Sequence, residues 1–117
     1  MEFARSGCPI ANTLDLVGDR WSLLIVRDMV NGKRRFGEFL ESPERIPTNI
    51  LAVRLKRLVS EGLAIRALYQ ERPARYEYQL SEKGRSLLPV LQEICRWANH
   101  HLPGTWVPPR SFMEAPR

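Results

Sequence analysis

A basic amphipathic helix that runs into a glycine stop, followed by two β-like runs, leaves few folds open to this chain. The segment is RIPTNILAVRLKRLVSEGLAIRALYQERPARYEYQ, Arg45 to Gln79. Gly62 is the stop, and the two runs, Leu63 to Tyr69 and Tyr76 to Leu80, are joined by a turn with arginines on both sides. That order is the shape of a recognition helix with a β-wing behind it. Charge supports the reading. Between Lys33 and Arg75 stand ten basic and five acidic side chains, while the rest of the chain cancels, so the whole formal charge of +5 lies on this segment. Positive charge concentrated on one structural unit is the footprint of a phosphate-backbone partner.

The length of 117 residues predicts one domain, small enough to gain stability by pairing with a second copy. The most apolar run, WSLLIVRDMV, is interrupted by Arg27 and Asp28, and the first ten residues lack the apolar core of a signal peptide. The expectation is a cytoplasmic protein with no membrane partner. Cys8 and Cys95 lie too far apart in sequence for a CxxC redox motif, and two cysteines do not make a four-ligand zinc site. Free thiols are the expectation for both. No clustered nucleophile–base pair, phosphate loop or metal set occurs, so the chain is read as a non-enzyme needing no cofactor and no metal.

Periodicity divides the chain further. Ile10, Leu14 and Val17 fall at helical spacing and predict a first helix over Pro9 to Val17. Asp19 is the expected cap of a second, Arg20 to Val30, whose dense apolar content marks it as the central core helix. FGEFL, Phe36 to Leu40, is a short third helix. A fourth begins near Pro47, a favoured first-turn residue, and ends at Gly62. The segment Gln70 to Arg75 predicts a hairpin loop longer than two residues. Ser81 caps a last helix running to about His101, with a kink or break expected at Pro89. The fold class is therefore mainly α with a small β-hairpin, an α+β winged helix-turn-helix. It comprises a domain over residues 1–102 and a Pro-rich flexible tail over 103–117.

On the fourth helix, taking Leu51 as the core direction puts Leu55 and Leu58 on the same stripe. Asn49, Val53, Lys56 and Ser60 occupy the opposite face, flanked by Ala52 and Arg57. Amide, methyl and ammonium groups are the chemistries that read base edges in a major groove. Thr48 and Asn49 lie in the first turn, the end that reaches bases. With Arg34 and Arg35 before the helix, and Arg72 and Arg75 on the wing, these residues form the candidate DNA-binding set. A wing arginine suits a minor groove or the phosphates. The competing readings are a solvated helix face and an arginine-protected edge hairpin. Tyr76 and Tyr78 share one face of their strand and turn either to the core, as expected here, or to DNA.

Taken together, Cys8-Pro9, GDRWSLLIVRDMVNGKRRFGEFL, IPTNILAVRLKRLVSEGL, ERPARYEYQLSEKG and SLLPVLQEICRW resemble the HxlR-type family of bacterial winged helix-turn-helix transcription regulators, related in fold to the MarR group. The likeness covers Cys8 to about Leu102. The family often has serine where this chain has Pro47, which leaves the helix cap to Thr48 or Ile46. The resemblance implies a homodimer whose N- and C-terminal helices make the interface and set two recognition helices on a palindromic operator in double-stranded DNA. Here the implied interface residues are Ile10, Leu14, Leu91, Ile94, Cys95 and Trp97. It also implies two readings of Cys8: a thiol sensor of electrophiles, or a cysteine packed in the interface. Repression is the simpler mode of action, since it needs only occupancy of a promoter. The alternative is a thiol-redox or small-molecule sensor working mainly through protein–protein contacts. An effector, if one acts, is expected between the second helix and the dimerisation helices.

Overall fold

The computed structural model describes residues 2–116. Helix α1, Pro9–Val17, opens on a proline whose fixed φ suits a first turn, and Gly18 closes it by donating to the Leu14 carbonyl at 2.8 Å. Helix α2, Ser22–Val30, starts two residues later than its sequence predicts. The reason is Asp19. Its carboxylate accepts the amides of Trp21 and Ser22 at 3.0 Å each and the Ser22 hydroxyl at 2.5 Å, which holds Arg20-Trp21 in a turn ahead of the helix. The same carboxylate receives Arg54 Nε at 2.9 Å.

Burial pushes the Asp19 carboxyl up, but hydrogen bonds from Ser22, Arg54 and the two amides outweigh it and hold the group at about 2. A carboxylate depressed on folding stabilises the fold above its ordinary value of 3.8, and that contribution is lost as pH falls through the depressed one. The melting temperature of the wild type is therefore expected to exceed that of Asp19→Asn at neutral pH. The gap should narrow as the pH falls from 3.8 towards 2, which thermal melts across that window would check.

Helix α3, Phe36–Leu40, buries Phe39 and is capped by Glu38, whose carboxylate accepts the amides of Arg34 and Arg35. Those two amides hold the Glu38 carboxyl below the usual carboxylate range. Helix α4, Thr48–Ser60, begins one residue after Pro47, which is extended and stands at the cap. Proline cannot cap through a side chain, so it contributes only its carbonyl, which accepts the Leu51 amide at 2.9 Å. Leu51, Leu55 and Leu58 are buried as their spacing predicts. They pack with Val26 of α2 and Phe39 of α3 in one core, the arrangement of a helix-turn-helix. Gly62 ends the helix with φ +76°, a left-handed value that glycine adopts without strain.

Strands β1, Ala64–Glu71, and β2, Ala74–Leu80, form an antiparallel hairpin running from Ala64 opposite Leu80 to Glu71 opposite Ala74. The turn is tighter than its sequence suggests. Only Arg72 and Pro73 remain at the tip, and an irregularity between Leu68 and Gln70 absorbs the extra residue. Proline is tolerated there because a tip residue needs no ladder amide.

Ser81 caps α5, Glu82–Arg85, by accepting the Gly84 amide at 3.0 Å. The chain breaks and resumes as α6, Leu88–His101, with Pro89 in its first turn instead of inside a longer helix. The C-terminal segment departs from the flexible tail expected of it. It forms a short helix α7, Arg110–Met113, and buries Phe112 to 7% exposure in the core. Gln92 of α6 is itself buried and donates Nε2 to the Phe112 and Ala115 carbonyls at 3.0 and 3.2 Å.

Candidate nucleic-acid interface

The core stripe of α4 fixes what its opposite face must show. Asn49, Val53 and Lys56 are exposed there, flanked by exposed Ala52 and Arg57, and Thr48 is exposed in the first turn. Val53 is 58% exposed in mid-helix, an apolar group with nothing of its own chain to cover it. Arg54, one step round the helix, leaves this face to pair with Asp19, tying α4 to the start of α2. Arg57 is partly engaged as well, donating Nη2 to the Asp15 carbonyl of α1 at 2.6 Å.

The basic run before α3 has a structural task its sequence did not disclose. The Tyr78 amide donates to the Arg34 carbonyl at 2.7 Å, and Arg35 forms a bridge with Glu77, so the run pairs with the free edge of β2. Arg35 braces the wing further. Its guanidinium carbon lies 3.8 Å from the centre of the Tyr69 ring, and Nε is 3.6 Å from the Glu77 carboxylate. Arg34 remains exposed. On the other face of the hairpin the Arg66 guanidinium lies 4.1 Å from the centre of the Tyr76 ring. Tyr78 packs on the core as its alternation predicts, while Tyr76 is half-buried beneath Arg66. Arg72 and Arg75 stand exposed at the tip.

A second set of polar residues, not singled out from the sequence, positions α4. Asp28 of α2 is 6% exposed. Its carboxylate accepts Arg27 Nε and Nη2 at 3.0 and 2.9 Å and also the Ser42 hydroxyl. Arg27 in turn grips Glu44 through two bonds of 2.8 and 2.9 Å, and Lys33 donates Nζ to Ser42 at 2.9 Å. The Arg27 bonds hold the Glu44 carboxyl below its usual range. These contacts fasten the α3–α4 linker, with Ile46 buried beneath it, against α2. The signal available in sequence was a charged pair, Arg27-Asp28, interrupting the most apolar helix.

The residues assigned to a dimer face divide in two. Ile10, Leu14, Ile94 and Trp97 are exposed, Trp97 to 60%. Leu91 is only 7% exposed and belongs to the core of its own chain, a correction to the expected interface. Helix α6 turns Leu88, Leu91 and Gln92 inward, so a residue three places from Leu88 cannot also face a partner. Cys95 follows them and is half-buried against the core, and burial pushes its thiol up. Cys8 is exposed at the start of α1. Arg5, three residues before it, is held by Asp15 at 2.7 Å and by the Ala11 carbonyl at 3.1 Å.

An exposed mixed amide, methyl and ammonium face on the second helix of a helix-turn-helix, beside an arginine-tipped hairpin, defines a winged-helix DNA-binding protein. The chain belongs to the HxlR-like helix-turn-helix family, whose model matches residues 16–105. It is 37% identical over 108 residues to YvaP of Bacillus subtilis, an HTH-type transcriptional regulator, covering 92% of this chain and 94% of that one. Among solved structures it resembles the redox regulator HypR in its oxidised form, with TM-score 0.71 and 33% identity over 80% of this chain and 97% of the other. It also resembles the reduced form of the transcriptional regulator YodB from B. subtilis, with TM-score 0.70 and 33% identity over 86% of this chain and all of the other. The protein is thus an HTH-type transcriptional regulator. Among the described residues no helix is long and apolar enough to cross a membrane.

Proposed function

We propose that this regulator binds a palindromic operator as a homodimer, with α4 in the major groove of each half-site and the Arg72–Arg75 tip on the adjacent minor groove or backbone. The observation that carries the reading is the outward face of α4. Asn49 suits adenine, Val53 a thymine methyl and Lys56 a guanine edge or phosphate, and none of the three is used by the protein's own core. Arg34, Arg72 and Arg75 supply phosphate contacts, with Arg57 available at the end of the helix. Two such units need half-sites about one helical turn apart or a multiple of it. Occupancy of a promoter by such a dimer represses without any further surface.

The dimer is built on Ile10 and Leu14 of α1 with Ile94 and Trp97 of α6, large apolar groups exposed on the first and the last long helix. Trp97→Asp is expected to convert the dimer to a monomer in sedimentation velocity and to abolish operator binding in fluorescence anisotropy, with the circular dichroism unchanged. A Trp97→Asp dimer that binds DNA as the wild type does would place the interface elsewhere.

A second reading concerns Cys8. Its thiol is exposed, it lies two residues from Ile10, and two of the similar structures are of regulators in stated redox forms. Oxidation at the edge of a dimer face would shift the two recognition helices relative to one another. Diamide is expected to weaken operator binding by the wild type and to leave Cys8→Ser unaffected. Equal responses from both would assign Cys8 a packing role.

A further inference from the structure

We propose that Arg45, in the turn ahead of α4, is a further DNA-contacting residue that neutralises a backbone phosphate at the edge of the major groove. The proposal deepens the DNA-binding reading above and rests on it. Arg45 has φ +57°, so a long side chain occupies left-handed backbone that glycine or asparagine fills at lower cost. Both flanks enforce that conformation. Ser42 is buried, and its carbonyl accepts the Arg45 amide at 3.0 Å to close the turn. The Ser42 hydroxyl is itself fixed between Asp28 and Lys33. On one side of Arg45, Glu44 is gripped by Arg27, and on the other Ile46 is buried. A residue persists in so sparse a conformation only where its surroundings over-determine it, and such residues gather at functional sites.

The Arg45 side chain contributes no polar contact to its own fold. It is exposed, and among the described residues its guanidinium has no hydrogen bond and no ion pair. The carboxylate next to it in the chain, Glu44, is taken by Arg27. The charge is thus presented to solvent unneutralised, three residues ahead of Thr48, where the base-reading turn begins. Three residues of chain span at most about 11 Å. The major groove is about 12 Å wide, so with Asn49 against the bases Arg45 stands at a phosphate wall. A side chain without a brace suits a phosphate, which needs charge within reach, more than a base edge, which needs fixed geometry.

The test measures stability and affinity on the same variants. Arg45→Gly and Arg45→Asn relieve the left-handed backbone, so both should keep or raise the urea midpoint of the wild type. Both should weaken binding to DNA from the protein's own upstream region and to scrambled DNA alike, about tenfold at low salt in fluorescence anisotropy. The slope of log affinity against log salt should fall by about one for each chain bound. Arg45→Lys keeps the charge and should restore the wild-type slope. Arg110→Gln removes an arginine 89% exposed on α7, outside the DNA-binding elements, and should leave the slope unchanged. A purely structural Arg45 gives the opposite pattern, a lowered midpoint in the glycine and asparagine variants with an unchanged slope. That pattern, a loss confined to the upstream DNA, or an equal fall in slope for Arg110→Gln would overturn the proposal. The Asn49→Ala, Lys56→Ala variant separates the two readings. If it loses its sequence preference while Arg45→Gly binds as the wild type does, only the Arg45 assignment falls; if both bind as the wild type, the placement of α4 falls with it.

Discussion

Alanine at both Asn49 and Lys56 is expected to remove most of the sequence preference of DNA binding while leaving the fold intact. Both side chains are exposed on α4, opposite Leu51, Leu55 and Leu58, so truncating them opens no cavity. A side chain reading a base edge contributes about 1–3 kcal/mol, and every 1.4 kcal/mol is about tenfold in affinity. Each single variant should therefore lose about tenfold, with the loss larger for operator than for scrambled DNA. Arg75→Ala, at the wing tip, should weaken operator and scrambled DNA alike and lower the salt dependence. Anisotropy titrations of the variants on both DNAs separate the two behaviours.

The second large effect is predicted at Gly84, in the short helix that seats the wing. A Cβ there would lie 1.9 Å from the Leu63 carbonyl oxygen and 3.1 Å from the Leu80 side chain. The oxygen cannot withdraw freely, because it accepts the Ser81 amide at 3.1 Å and Leu63 is core. Backbone must move, at a cost of about 3 kcal/mol. Gly84→Ala is thus expected to lower the urea midpoint strongly. Gly37→Ala is the control, since nothing lies within 4 Å of the added atom, and it should be neutral or slightly stabilising. Gly84 packs where α4 hands over to β1, so any surviving fold should also lose wing contacts to DNA. An unchanged midpoint in Gly84→Ala would mean that α5 sits off the hairpin base.

What could be read from the sequence followed from short-range physics. The three-and-four spacing of Leu51, Leu55 and Leu58 fixed the face of α4, and charge marked the wing. The parts that escaped depend on contacts between distant residues. Nothing local in Lys33-Arg34-Arg35 announces a strand partner for Tyr78, so Arg35 read as free for DNA when it braces Tyr69 and Glu77. Pro73 read as a loop-former because its tolerance at a hairpin tip depends on the register of both strands. Leu91 and Trp97 both read as interface, since an apolar stripe on α6 does not tell how much of it one core takes. Phe112 had no periodic neighbour to mark it, and its anchor, Gln92, lies twenty residues away.

The direct test of the central claim is an anisotropy titration of the purified protein on DNA from its own upstream region, with scrambled DNA as control, at two salt concentrations. Binding that is tighter on the upstream DNA, that falls steeply with salt on both, and whose preference disappears in the Asn49→Ala, Lys56→Ala variant is the expected result. Equal affinity of the wild type and the double variant for upstream DNA would contradict the assignment of α4 as the helix that reads the operator.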